Sequence, residues 1–149
     1  RFEYEDGPHN CEGVAVDAER QEILLLTKES PLTTGVYRLP LRTDQRRQQL
    51  KATKIARLPM AFATGLDISH DGRLFAGISM WHGWICRRQA DQSWADALRG
   101  TLHRVALPAR KQGESVCFTA DGQSLLVNSE KAKQPLWRLS VSDALPQSD

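Results

Sequence analysis

No run of apolar residues in this 149-residue chain approaches the length needed to cross a bilayer, roughly 20 residues. Nothing near the N-terminus has the basic, apolar and small-residue order of a secretory leader. The sequence opens on Arg1 without a methionine, as expected of an excised or processed piece, so the compartment (periplasmic, extracellular or cytoplasmic) stays open. Cysteine is scarce. Cys11, Cys86 and Cys117 show no C-x-x-C spacing, and their odd number fits neither a full disulfide framework nor a zinc site. Charge of one sign is lacking too: 20 basic residues stand against 18 acidic ones. A net charge of +2 gives no argument for nucleic acid or an anionic membrane as partner. The basic cluster Arg42, Arg46, Arg47, Lys51, Lys54 is broken by Asp44 and by glutamines, and reads as a solvated loop. There is no G-x-G-x-x-G and no P-loop. No G-x-S-x-G elbow surrounds Ser79, Ser115 or Ser129, which disfavours a serine hydrolase.

What is present is a repeat. EGVAVDAERQEILLL from Glu12, TGLDISHDGRLFAG from Thr64 and ESVCFTADGQSLLVNSE from Glu114 align over their lengths. Gly13 and Gly65 are 52 residues apart, and Gly65 and Ser115 are 50 apart. Asp71-Gly72 and Asp121-Gly122 fall at the same point of their units and predict a tight turn between antiparallel strands. The first unit has Ala18-Glu19-Arg20-Gln21 there, a poorer turn. Before each turn, large apolar residues alternate with small or polar ones: Val14 and Val16 with Gly13 and Ala15, Leu66 and Ile68 with Gly65 and Asp67, Val116 and Phe118 with Ser115 and Cys117. Such period-2 alternation predicts a strand. The small second face fits an innermost strand, where units converge.

Each unit has a third strand, VYRLPL (Val36 to Leu41), GWICRR (Gly83 to Arg88) and LWRLSV (Leu136 to Val141). TKIARLP from Thr53 and TLHRVALP from Thr101 supply a fourth in the first two units. RFEY, residues 1–4, precedes the first inner strand and reads as an orphan outer strand. One short helix is predicted over Trp94 to Arg99, with Ser93 as N-cap and Gly100 as stop. A repeat of about 50 residues with four strands is the period of a propeller blade. The expected fold is therefore all-β: a β-propeller piece of three four-stranded blades, half of a six-bladed ring. Its divisions are an outer strand (1–4), blades over 12–59 and 64–108, a partial blade over 114–141 and a tail over 142–149. Three blades leave open faces and edges, which are liabilities in water. The expected partner is thus a second copy or the missing half of a longer chain.

The motifs EGVAVD, TGLDISHDGR and QGESVCFTADGQSLLVNSE, with the endings VYRLPL and PLWRLSV, resemble bacterial β-propellers, nearest a phytase-like, esterase-like group. The resemblance runs from about Glu12 to Val141 and lacks the Trp-Asp signature of WD repeats. It implies the fold strongly. It implies an activity only weakly, because propellers host many unrelated functions.

In an antiparallel blade, the start of the first strand lies beside the end of the second, near the ring axis. Glu12 and Glu114 fall at first-strand starts, Glu29 and Glu130 at second-strand ends, and Thr64 takes the first position in the middle blade. Glu12 and Glu114 are the expected ligands if a divalent cation, calcium by its taste for carboxylates, sits at the channel. His82 would then be the acid or base and Trp81 a wall for a flat ligand. The competing reading has these glutamates paired structurally, with Lys28 and Lys131 neutralising the cluster. His9 could reach the same face. Cys11 and Cys117 both fall near the axis and form the one cysteine pair to check. The expected function is a propeller binding or interaction module of unknown ligand; the alternative is a calcium-dependent phosphoester or ester hydrolase working at the central channel.

Overall fold

A computed structural model of the chain describes residues 1–28, 32–42 and 49–145. Its elements are β1 (Phe2–Tyr4), β2 (Asn10–Asp17), β3 (Glu22–Lys28), β4 (Thr34–Pro40), β5 (Leu50–Leu58), β6 (Ala63–Ile68), β7 (Leu74–Ser79), β8 (His82–Arg87), α1 (Trp94–Arg99), β9 (His103–Ala106), β10 (Gly113–Phe118), β11 (Ser124–Ser129) and β12 (Trp137–Ser140). They form three sheets, ordered β1-β5-β4-β3-β2, β6-β7-β8-β9 and β10-β11-β12. Among the described residues, no helix is long and apolar enough to cross a membrane.

The expectation of three four-stranded blades needs correction, because the sheets hold five, four and three strands. The extra strand is β1. It pairs parallel with β5, Phe2 opposite Leu50 and Tyr4 opposite Ala52, and so joins the outer edge of the first blade. The reason lies in the residues that follow. Tyr4 packs edge-on against Tyr37 at 4.8 Å, and Leu25, Tyr37, Leu39 and Ala52 are buried beneath it. Asp6 accepts from the Tyr37 hydroxyl at 2.9 Å and faces Lys54 Nζ at 3.0 Å, and Glu5 accepts from the Lys54 backbone N–H. This strap covers the outer part of a sheet face. It leaves Val14 and Val16, on the inner strand of the same sheet, open.

The turns obey local chemistry. Gly72 and Gly122 take the left-handed conformation at φ 63° and 68°, where a side chain would be strained. Asp71 accepts from the Ser69 hydroxyl and the Arg73 N–H, and Asp121 accepts from their counterparts Thr119 and Gln123. In the first blade the turn is held differently. Gln21 itself goes to φ 54°, and Asp17 accepts from the Arg20 N–H. Helix α1 is capped by Ser93, which accepts from the Asp96 N–H, and stops at Gly100.

Consecutive sheets stack through their inner strands, small side on large side. Gly13 and Ala15 of β2 face Leu66 and Ile68 of β6, within a core completed by Leu24, Leu26, Val36, Phe75 and the helix. Gly65 of β6 faces Val116 of β10, above a second core containing Ile78, Ile85, Leu125 and Val127. No disulfide joins the cysteines: Cys11 and Cys117 are exposed and free, and Cys86 lies buried in the first core. Burial pushes the Cys86 thiol up to about 12. Cys86 is therefore expected to react with a thiol reagent only after unfolding, while Cys11 and Cys117 react in the dilute folded protein. A count of three reactive thiols in the native state would show that this core is open.

Candidate functional site

The three inner strands share an irregularity at one repeat position. Pairing skips a residue between Cys11 and Gly13, between Ala63 and Gly65, and between Gly113 and Ser115. The skipped residues are Glu12, Thr64 and Glu114. Each sits at a β-bulge beside the end of the second strand of its blade. A bulge frees one residue from the ladder and re-aims its side chain, and such bulges gather at functional rims. The bulges were not legible in the alternation, although the three residues were already equivalent in the repeat.

The side chains at this rim are matched by the protein's own cations and amides. Glu12 lies 3.1 Å from Lys28 Nζ and accepts from the Asn10 amide at 2.6 Å. Arg110 enters between the second and third blades. Its guanidinium donates to the Ser79 carbonyl at 3.1 Å, and to those of Met80 and Asn128 more weakly. Burial pushes the Arg110 pKa down, and the nearby Glu114 carboxylate works in the opposite direction. Glu130 is exposed, with Lys131 Nζ 3.8 Å away. Glu29 lies outside the described residues. Thr64 is only 5% exposed, and its hydroxyl has no hydrogen-bond partner among the described residues. No three His, Cys, Asp or Glu side chains come together in the arrangement a metal ion needs, again among the described residues. Glu12 and Glu114, the residues expected to act as ligands if a divalent cation sits at the channel, each have a cation of the chain nearby.

His82 and Trp81 belong to the tight β7–β8 connection. The Ser79 hydroxyl donates to the His82 carbonyl at 2.9 Å and accepts from the N–H groups of Trp81 and His82, so this turn is fixed from within. Trp81 projects at its tip and meets Phe62 edge-on at 5.5 Å. Phe62 has φ 53°, an uncommon conformation for a bulky residue. Burial, aided by the Arg104 cation, pushes the His82 pKa below its ordinary value, which favours the neutral ring at pH 7. His82 packs on Trp84 at 6.0 Å.

Two polar clusters escaped the sequence reading. In one, His9 Nε2 contacts Asp6 at 2.7 Å and the Tyr37 hydroxyl at 2.7 Å. Partial desolvation works against the Asp6 carboxylate, but hydrogen bonds from His9, Lys54 and Tyr37 outweigh it and hold the group well below the usual carboxylate range. In the other, Asp17, Arg88 and Trp94 are buried together where the first two blades meet the helix. Asp67 also bridges blades: its carboxylate accepts from the Phe118 backbone N–H at 2.7 Å, while burial pushes its pKa up. The signal available for Asp17 and Asp67 was a carboxylate on the small face of an inner strand, where it must find a donor in the next blade.

No family model matches the chain, and no curated protein matches it. Solved structures do. The chain is similar to one in the crystal structure of a nidogen/laminin complex, with TM-score 0.59 and 11% identity over 91% of this chain and 46% of that one. It is also similar to a protein from Lactobacillus plantarum, with TM-score 0.51 and 14% identity over 91% of this chain and 43% of the other. The chain thus spans less than half the length of either neighbour. At these identities the likeness concerns the fold, and with the stacked sheets it identifies the architecture as that of a β-propeller.

Proposed function

We propose that this chain is a propeller interaction module whose working surfaces are its two open blade faces. One observation carries the reading. Leu66 and Ile68 in the second blade, and Val116 in the third, are the large residues of the inner strands, and each is buried against the small face of the preceding blade. Their equivalents in the first blade, Val14 and Val16, are 59% and 50% exposed. At the opposite end Ser115 and Cys117, equivalents of Gly65 and Asp67, are exposed as well. Each end of the stack is half of an interface already built twice inside the chain.

The energetic scale favours occupation. Burying a fully exposed valine side chain contributes about 1.5–3 kcal/mol; Val14 and Val16, about half exposed, gain a fraction of that each on being covered. No observation favours the calcium-dependent hydrolase alternative, because the rim glutamates are balanced by Lys28, Arg110 and Lys131. The mouth, with its three bulges and the Phe62–Trp81 pair, is a rim on which an interaction module can present side chains.

The test is solution mass by light scattering across a concentration series, on the natural chain and on the double variant Val14→Asp/Val16→Asp. We expect a mass above that of one chain, lost in the variant while the far-ultraviolet spectrum stays close to the parent's and the melting temperature falls to that of the dilute parent. Two exposed substitutions cost little in the isolated chain but bury two uncompensated carboxylates in an assembly. A single-chain mass for the natural protein at every concentration would overturn the reading.

A further inference from the structure

The module reading leaves the occupant of the open faces unnamed. We infer that it is a second copy of this chain, joined head to tail at both ends, with Ser115 and Cys117 of one protomer packed on Val14 and Val16 of its partner. The inference rests on the module reading and adds partner, register and closure to it.

The partner follows from the alternation. The first junction pairs Gly13 and Ala15 with Leu66 and Ile68. The second pairs Gly65 and Asp67 with Val116 and Phe118. Each junction sets two small or polar residues against two large apolar ones at the same repeat positions. The chain has one more pair of each kind, and both lie open: Ser115 and Cys117 on the last blade, Val14 and Val16 on the first. None of the four is charged at neutral pH, so nothing at the centre of the contact opposes it. Leu126, opposite Cys117 in the sheet, extends the face of the last blade. The strap packs against Tyr37 and Lys54 and reaches Cys11 at the start of the inner strand, while the two valines further along that strand stay 59% and 50% exposed.

The register follows from the internal junctions. A Cβ on Gly65 would lie 3.2 Å from the Glu114 carbonyl and 3.4 Å from the Val116 side chain. Asp67 reaches the Phe118 N–H at 2.7 Å. Moved on by one blade, Ser115 falls opposite Glu12 and Val14, and Cys117 falls opposite Val16. Closure follows from size. A head-to-tail contact makes a ring if the rotation closes and a filament if it does not. The chain spans 46% and 43% of the two neighbours, near the half that one further copy would complete.

The experiment is an engineered disulfide. Val16→Cys is made in a Cys11→Ser background, leaving Cys117 as its exposed counterpart, and the protein is oxidised mildly at a concentration where light scattering reports association. The internal counterparts of this pair are Asp67 and Phe118, which meet with the Asp67 carboxylate 2.7 Å from the Phe118 backbone N–H, a close approach that a disulfide can test. We expect near-complete conversion to a covalent species of twice 16.7 kDa on a non-reducing gel, abolished by adding Cys117→Ser. A ladder of higher multiples would overturn closure, and association without the link would overturn the register; either result leaves the module reading standing. A single-chain mass before oxidation overturns both. Should Val16→Cys fail to fold, the natural chain tests the same contact. Its Cys117 is expected to react with a thiol reagent at least tenfold more slowly in the associated than in the dilute protein, whereas an unchanged rate would overturn the contact.

Discussion

Replacing Gly13 with alanine is expected to destabilise the protein by about 3 kcal/mol, the upper part of the range for overpacking a well-filled interface. A Cβ at this position would lie 2.6 Å from the Leu66 Cβ and 2.9 Å from the Leu66 backbone nitrogen. Neither atom can swing away, because both belong to the inner strand of the next blade. The two sheets must separate, and the core holding Ala15, Leu24, Leu66 and Ile68 loosens with them. Gly65→Ala makes a useful comparison. Its tightest contacts, at 3.2 Å, are the Glu114 carbonyl and an Ile78 side-chain carbon, which leaves the neighbours only a few tenths of an ångström to give. Its cost should be about 1 kcal/mol. Urea denaturation measures both. With a slope of about 2 kcal/mol/M, Gly13→Ala should lower the midpoint by about 1.5 M at unchanged slope. An unchanged midpoint would show that the first two blades are not stacked at this distance.

The second large effect is expected at Asp17. Truncating it to alanine should cost about 3–5 kcal/mol, the range for removing one partner of a buried ion pair. Asp17 and Arg88 are each only 2% exposed. The carboxylate accepts from the Trp94 indole N–H at 2.8 Å and the Arg20 N–H at 3.0 Å, and lies 3.9 Å from the Arg88 guanidinium. Arg88 gives its other donors to the carbonyls of Gly72, Gln89, Ala90 and Gln92, and its guanidinium lies over the Trp94 ring at 5.1 Å. These bonds fix the cation but leave its charge to Asp17. Without the carboxylate, the buried guanidinium loses its ion-pair partner and the indole N–H loses its acceptor. Asp17→Asn keeps an acceptor and removes the charge, so it should fall between the parent and Asp17→Ala. A double-mutant cycle with Arg88→Met isolates the coupling. Asp17→Asn as stable as the parent would assign the effect to the hydrogen bonds and not to the charge.

Both predictions concern junctions between blades, and the sequence disclosed such junctions unevenly. Gly13 could be read as a small residue on an inner strand. The distance that makes it irreplaceable is a property of β6 brought against β2. Asp17 looked like the end of a strand before a poor turn, and Arg88 like the last residue of GWICRR. Their partner Trp94 is 77 residues from Asp17, and no local pattern connects them. At the mouth, the equivalence of Glu12, Thr64 and Glu114 was readable, but their release from the ladder was not. A bulge is one extra residue in a pairing, and it becomes visible only once the partner strand has a register. The guanidinium beside Glu114 was hidden for a related reason: Arg110 belongs to a connection between blades, whose path the alternation does not determine.

What the sequence by itself determined is the part governed by short-range chemistry. The alternating strands, the Asp-Gly turns and the Ser93-capped helix each follow from residues within a few positions of one another, and so does the small-against-large pairing of inner-strand faces. Tertiary structure alone decided where β1 goes. Its three residues carry no periodic pattern, and several sheet edges could accept them. The choice of β5 rests on Tyr4 packing against Tyr37 and on Asp6 reaching Tyr37, His9 and Lys54, contacts that exist only after the first blade has formed. The same holds for the open faces. That Val14 and Val16 are large and apolar was evident from the letters, but that they are left uncovered is known only once the blades are stacked and counted.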